Sequence, residues 1–242
     1  MGTTLRNDQS INEHYTVIDV PYGKMLINAH YPLLPSNLQE NVREINALMQ
    51  FAKGVVIDVG ANVGSHAINF SKVAEVVYAF EPHPLTYRNL CANLLLNLVY
   101  NTDAINKALG SYNGWTSVAC MDPTTPGTPM GTQVGNGSHP VEICTLDSMN
   151  ISPVHFIKID TEGYELEVLK GAVDTLYREN PIVYVEIHSK DLVGPVDQYM
   201  KNLGYQTAEY ITVVMHNEEQ EDVWLTTGHL FWKVGRIQWL QE

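Results

Sequence analysis

Four short runs in the sequence gather residues able to bind a charged ligand or move a proton. The first, Val55-Val56-Ile57-Asp58-Val59-Gly60-Ala61-Asn62-Val63-Gly64-Ser65-His66, sets an acidic residue ahead of two glycines in the spacing Asp-x-Gly-x-x-x-Gly. A buried strand that turns sharply at Gly60 and enters a helix packed closely at Gly64 aims backbone N–H groups and a helix N-terminus beyond the sheet edge. The spacing departs from the Gly-x-Gly-x-x-Gly that cradles a dinucleotide pyrophosphate. Asp58, just before the turn, suits a ligand carrying an ammonium group, and S-adenosylmethionine is such a ligand. The bland alternative is a generic strand–turn–helix, since glycine-rich turns are common.

The second run is Tyr78-Ala79-Phe80-Glu81-Pro82-His83-Pro84. A carboxylate at a strand end can accept from both hydroxyls of a ribose, which makes Glu81 a candidate ribose ligand; a solvated loop residue is the alternative. His83 and its flanking prolines can wall an adenine ring, and Asn106, near the end of the next strand, can reach the adenine edge or the pocket floor.

The third run, Phe156-Ile157-Lys158-Ile159-Asp160-Thr161-Glu162-Gly163-Tyr164-Glu165, puts Asp160 at a strand end and Glu162 in the turn that follows. Strand alternation points Lys158 and Asp160 to one side. A lysine in an apolar strand is costly to bury alone, so Lys158 should meet a carboxylate. Such a pair, with Glu165 favouring the helix start, leaves unexplained why so many acidic groups meet at one edge. The fourth run, Val183-Tyr184-Val185-Glu186-Ile187-His188, adds Glu186 and His188 on a shared face. His188 has an ordinary pKa near neutrality and is the candidate general base, with Glu186 or Asp160 orienting or replacing it. Asp160, Glu162, Glu186 and His188 could instead ligate a divalent metal; without an HxH or HExxH spacing, no metal is assigned. There is no GxxxxGK[ST] loop and no GxSxG elbow, which argues against P-loop and serine-hydrolase chemistry.

These groups need a sheet edge to converge on, and the pattern supplies one. Val55–Val59, Val76–Phe80, Thr102–Ala108, Val154–Asp160 and Ile182–His188 read as strands. Helices are expected at about Leu38–Ala52, Gly64–Val73, Pro84–Val99 and Glu165–Leu176. That alternation indicates a mostly parallel sheet covered on both faces. Residues 14–30 read as a hairpin with a Pro-containing turn, an N-terminal extension (1–37) to a single domain (38–242). Trp115–Cys144 breaks the rhythm and is expected to be a β-hairpin insertion whose Gly/Pro/Thr/Ser-rich loop at 122–138 could cap a site. Tyr205–Met215 and Val223–Val234 should close the sheet as antiparallel strands around the acidic loop 217–222.

With 242 residues the chain has room for one well-buried domain. A net charge of −13, with only 14 Lys and Arg, opposes sequence-independent nucleic-acid binding. Cys91, Cys120 and Cys144 have no CxxC spacing and read as free thiols of a reducing compartment. No basic-then-apolar leader and no membrane-length apolar run is evident. A cytoplasmic enzyme or binding protein is the expectation.

Together, Val56–Gly64, Phe80-Glu81-Pro82, Thr145-Leu146-Asp147-Ser148, Ile157–Glu165, Val168-Leu169-Lys170-Gly171-Ala172 and Val185–His188 resemble the FkbM family of S-adenosylmethionine-dependent methyltransferases. The block Lys-Ile-Asp-x-Glu-Gly-x-Glu is the most specific part. The resemblance implies a class I, Rossmann-like methyltransferase fold: a seven-stranded, mostly parallel sheet with helices on both faces and its last strand antiparallel. It implies O-methylation of a hydroxyl on a sugar or other small molecule. By position, Asp58, Gly60, Asn62 and Gly64 would line the methionine end of the cofactor, Glu81 would take the ribose with His83 and Asn106 near the adenine, and Asp160 would sit beside the methionyl amine and the transferred methyl. Thr161 departs from the aliphatic residue common there. A cofactor-binding protein without catalysis and a nicotinamide-dependent oxidoreductase of similar topology are the competing readings.

Overall fold

The structure is a computed structural model that describes residues 15–28, 35–119, 133–135, 137–215 and 224–233. The chain opens with an antiparallel hairpin, β1 (Tyr15–Val20) and β2 (Gly23–Asn28), then helix α1 (Pro35–Met49). Strand–helix units follow: β3 (Val55–Val59), α2 (Ser65–Phe70), β4 (Val76–Phe80), α3 (Pro84–Leu96) and β5 (Thr102–Ile105). A small side sheet holds β6 (Ala108–Leu109), β7 (Gly114–Val118) and β8 (His139–Cys144). The main sheet resumes with β9 (Phe156–Ile159), then α4 (Glu165–Lys170), α5 (Val173–Glu179), β10 (Ile182–Ile187), α6 (Lys190–Asn202), β11 (Gln206–Met215) and β12 (Trp224–Trp232).

The seven main strands lie in the order β11-β12-β10-β9-β3-β4-β5. The pairs β3–β4, β4–β5, β3–β9 and β9–β10 are parallel, and β12 runs antiparallel to both neighbours. From β3 the chain steps outward to β4 and β5, then returns to β9 on the other side. This reversal opens a crevice at the carboxyl ends of β3 and β9, where α/β sheets bind ligands.

Each sheet face carries its own core. Ile57, Val59, Ile157, Ile159, Val183 and Val185 pack against Val168 and Leu169 of α4, Leu176 of α5, and Val196 and Met200 of α6. Val56, Val77, Ala79, Phe156 and Tyr184 pack against Leu48 of α1, Ala67, Ile68 and Phe70 of α2, and Leu90 and Leu94 of α3. By alternation, Asp58, Lys158 and Glu186 belong to this second face. The side chains that carry charge therefore emerge from the α1/α2 side of the sheet.

Two expectations are corrected by the packing, and one helix is added. The strand expected over 102–108 divides: Lys107 N–H donates to the Ile105 carbonyl, and the chain leaves the main sheet to pair Ala108–Leu109 with β8. The helix expected over 165–176 breaks after Lys170, where Gly171 backs onto Gly110 so closely that a Cβ would fall 1.9 Å from the Gly110 carbonyl oxygen. Helix α6 was not foreseen, because Gly194 and Pro195 interrupt its pattern; Val196 and Met200 are fully buried and Ser189 caps the Asp191 N–H.

Pro84 occupies the first turn of α3 as expected. The insertion is a β7–β8 hairpin, and most of the 122–138 segment lies outside the described residues, as do the polar start 1–9, Cys120 and the acidic loop 217–222. Cys91 and Cys144 are free thiols. Among the described residues no helix is long and apolar enough to cross a membrane.

Candidate active site

The glycine turn follows from three residues in the left-handed region, Gly60 (φ 77), Asn62 (φ 49) and Gly64 (φ 96). The two glycines adopt it without Cβ strain. Gly60 also admits the neighbouring strand end, since a Cβ there would fall 1.8 Å from the Asp160 carbonyl oxygen. At Gly64 a Cβ would meet Leu90 at 2.8 Å, which accounts for the close approach of α2 and α3.

Glu81 closes one side of the turn. Its Oε2 accepts from the Asn62 N–H and its Oε1 from the His83 N–H, each at 2.9 Å. Each oxygen keeps a further lone pair, so the carboxylate can still accept from a ribose. Burial outweighs these bonds and pushes Glu81 up to about 7. His83 caps α3, with Nδ1 accepting from the Thr86 N–H at 3.3 Å, while its buried Nε2 has no hydrogen-bond partner among the described residues. Burial lowers its pKa. Asn106 donates its amide to the carbonyls of Glu81 and Pro82, at 2.8 and 2.9 Å, so it positions the Glu81 loop and leaves its own oxygen as an acceptor. An unpartnered imidazole nitrogen and a carboxylate with spare lone pairs beside a glycine turn fit the adenosine half of S-adenosylmethionine.

The charged cluster is a row across three strands. Asp58, Lys158 and Tyr184 stand side by side in register on β3, β9 and β10. Lys158, 1% exposed, donates to Asp160 Oδ2 at 3.0 Å and lies 3.7 Å from Asp58 Oδ1. The expected carboxylate partner is thus two carboxylates. Burial opposes the charge on Lys158, but Asp160, Asp58 and Glu44 together outweigh it and hold the proton firmly in place. Asp58 is wholly buried, and burial lifts it to about 6 against the pull of Lys158.

Beyond this row, His188 Nε2 donates to Asp160 Oδ1 at 2.9 Å and Nδ1 lies 3.6 Å from Glu162 Oε2. Burial opposes the charged imidazole, but Asp160, Glu162 and Glu186 raise His188 to about 9. Asp160 experiences the same contest in reverse: burial favours its protonation, and Lys158 and His188 hold it well below the usual carboxylate range. Glu186, desolvated and facing Asp160 and Glu44, is raised strongly. Glu162 sits in a left-handed conformation (φ 54), and Glu165 secures that turn by accepting from the Gly163 N–H at 2.8 Å.

The structure therefore brings Asp58, Lys158, Asp160, Glu162, Glu186 and His188 together, next to the glycine turn and one strand from Glu81. One ligand atom each from Asp160, Glu186 and His188 lies within 4.8 Å of the others, a spacing that would also accommodate a divalent cation. Lys158 already supplies a positive charge at Asp160.

The expectation for His188 needs one correction: its pKa is not the near-neutral one on which its choice as base rested. Sequence reading also missed Glu44. This α1 carboxylate is buried, hydrogen-bonds Tyr184, lies 3.8 Å from His66 Nε2 and reaches Lys158 electrostatically. Gly228 makes room, since a Cβ there would meet the Tyr184 hydroxyl at 2.0 Å. The only sequence signal was that Glu44 adjoins Ile45 of the apolar stripe.

A sheet of this order with a reversed strand beside its edge, a glycine turn at the switch point and a carboxylate ending the neighbouring strand define a Rossmann-like methyltransferase domain. The Methyltransferase FkbM domain model matches residues 58–207, and the chain belongs to that family. S-adenosylmethionine is its methyl donor. The hexuronic acid methyltransferase AglP of Haloferax volcanii is 32% identical over 149 residues, 56% of this chain and 56% of that protein. The chain thus spans just over half the length of this curated relative. The fold also superposes on methyltransferase FkbM from Methylobacillus flagellatus KT (TM-score 0.55, 19% identity, 75% of this chain and 44% of the other). It likewise superposes on M. jannaschii TYW2 in complex with S-adenosylmethionine (TM-score 0.54, 15% identity, 92% and 88%).

Proposed function

We propose that this domain transfers a methyl group to a hydroxyl oxygen of a sugar or related small molecule, with hexuronic acids the first class to try. The observation that carries the reading is the contact between the glycine turn and Asp160, whose carboxylate also holds His188. Cofactor cradle and proton-handling pair are thereby one unit. The substrate class is supported by the likeness to the hexuronic acid methyltransferase. Free thiols at Cys91 and Cys144 support a cytoplasmic setting.

The cofactor supplies an electrophilic methyl on a sulfonium, so the chain's work is alignment, water exclusion and proton removal. Asp58, Gly60, Asn62 and Gly64 hold the methionine end; Glu81, His83 and Asn106 hold the adenosine. As the new C–O bond forms and the methyl's bond to sulfur breaks, the hydroxyl proton passes to the neutral His188 imidazole, at the ring nitrogen that is not donating to Asp160. In the free protein the imidazole is charged at neutral pH. Any cationic ligand beside Asp160 competes with His188 for the same carboxylate, which favours release of the imidazole proton. Lys158 keeps Asp160 ionised and oriented, and Glu162 and Glu186 set the field around the imidazole.

The test is methyl transfer to a panel of glucuronosides and neutral hexosides, read as S-adenosylhomocysteine formed. H188A should bind S-adenosylhomocysteine within about twofold of the unaltered protein yet lose on the order of 10²- to 10⁴-fold in turnover. Tight cofactor binding with no turnover on any acceptor would favour a cofactor-binding protein without catalysis.

A further inference from the structure

The glycine turn is gripped from a second side, by a residue outside the charged cluster. Asn93 of α3 is fully buried. Its Oδ1 accepts from the Leu26 N–H of β2 at 2.6 Å, and its Nδ2 donates to the Val63 carbonyl at 2.8 Å. Val63 lies between the left-handed residues Asn62 and Gly64. One carboxamide thus ties the N-terminal hairpin to the middle of the turn. A second link runs alongside it, from the Tyr22 hydroxyl to Ser65 Oγ at 3.1 Å, at the first residue of α2.

Asn97, one helical turn further along, provides a natural control. Its Oδ1 accepts from the Lys24 N–H at 2.9 Å, and its Nδ2 donates to the Lys24 carbonyl at 2.7 Å and to the Asn93 carbonyl of its own helix. It fastens the hairpin without touching the turn. The hairpin itself lies outside the span 58–207 that matches the family model.

We infer that Asn93 is a positioning residue for cofactor binding, which fixes the Asn62–Gly64 turn against the docked N-terminal hairpin. The inference rests on the reading of that turn as the cofactor cradle. A turn with left-handed residues at alternate positions, Gly60, Asn62 and Gly64, has competing arrangements, and a ligand binds in proportion to the population of the competent one. Glu81 restrains the turn at the Asn62 N–H, and Asn93 restrains it at the Val63 carbonyl. Removing either hold leaves a buried polar group unsatisfied and releases the turn. Because coupling between two sites is reciprocal, a ligand that fixes the turn must also steady the hairpin.

N93D tests this directly, since it keeps the acceptor for Leu26 but replaces the donor to Val63 with an oxygen. Calorimetry should show the dissociation constant for S-adenosylhomocysteine rising tenfold or more in N93D, while N97A stays within about threefold and loses thermal stability. An unaltered constant in N93D, or equal weakening in N97A, overturns the inference. Hydrogen exchange on the unaltered protein decides independently, even if N93D does not fold. S-adenosylhomocysteine should slow exchange at the Leu26 amide together with those of Val63 and Gly64. Protection of the turn without Leu26 overturns the inference and leaves the cradle reading standing; no protection of the turn overturns both.

Discussion

Replacing Glu162 with glutamine should lower the pH at which His188 gives up its proton. The imidazole is held between Asp160 at 2.9 Å and Glu162 at 3.6 Å, and it titrates at about 9. Two unit charges at such a distance interact by about 4 kcal/mol when the effective dielectric constant is near 20. The Glu162 side chain is 37% exposed, so water screens it, and open ion pairs are worth less than about 1 kcal/mol. A value between these limits, about 1–2 kcal/mol, corresponds to roughly one pKa unit. His188 should therefore titrate near 8 in E162Q, still above its ordinary value because Asp160 remains. The assay is NMR of imidazole-labelled protein, with H188Q assigning the resonance.

The same shift has a consequence for stability. A histidine raised on folding contributes stability that is fully present below its unfolded pKa of about 6.5 and lost as pH rises through about 9. E162Q should lose that contribution about one pH unit earlier. In turnover, a base that must be neutral makes the rate of the unaltered protein climb between pH 7 and 9. A His188 midpoint below 7, or one unmoved by E162Q, would refute the electrostatic argument and restore an imidazole ready to accept a proton at rest.

Two further outcomes are expected. K158M should destabilise the fold by about 3–5 kcal/mol near pH 8, because Asp58 is left as a buried charge without a counter-ion. The loss should shrink near pH 5.5, where Asp58 can be protonated. Urea unfolding at the two pH values checks both points, and a change under about 1 kcal/mol at pH 8 would contradict them. E81Q should weaken S-adenosylhomocysteine binding by about 10- to 100-fold, the usual worth of hydrogen bonds to a charged group. Calorimetry should also find the unaltered protein binding more tightly from pH 6 to 8, as Glu81 ionises through about 7; equal affinity in E81Q would remove it from the ribose site.

The local sequence determined the pieces that depend on local physics. Apolar runs between glycines and prolines specified the central strands, Gly60 and Gly64 specified a turn that other residues adopt poorly, and strand parity put Lys158 with Asp160 and Glu186 with His188. Because those strands are parallel and adjacent, residues at their carboxyl ends had to meet at one edge. The sequence also contained the signal that a buried Lys158 needs an anion, though not that it has two.

What tertiary structure alone decided were the contacts between distant segments and the charges they create. Asp58 and Lys158 are 100 positions apart, and only the β3–β9 register sets them side by side. Glu44 reads as an ordinary helix residue until α1 lies over Tyr184 and His66. The break at Gly171 follows from the approach of Gly110, and helix α6 forms despite Gly194 and Pro195 because Val196 and Met200 are buried beneath it. The protonation state of His188 belongs to this second class. An isolated imidazole titrates near neutrality, and the shift to about 9 arises because the fold sets three carboxylates around it where water cannot fully screen them.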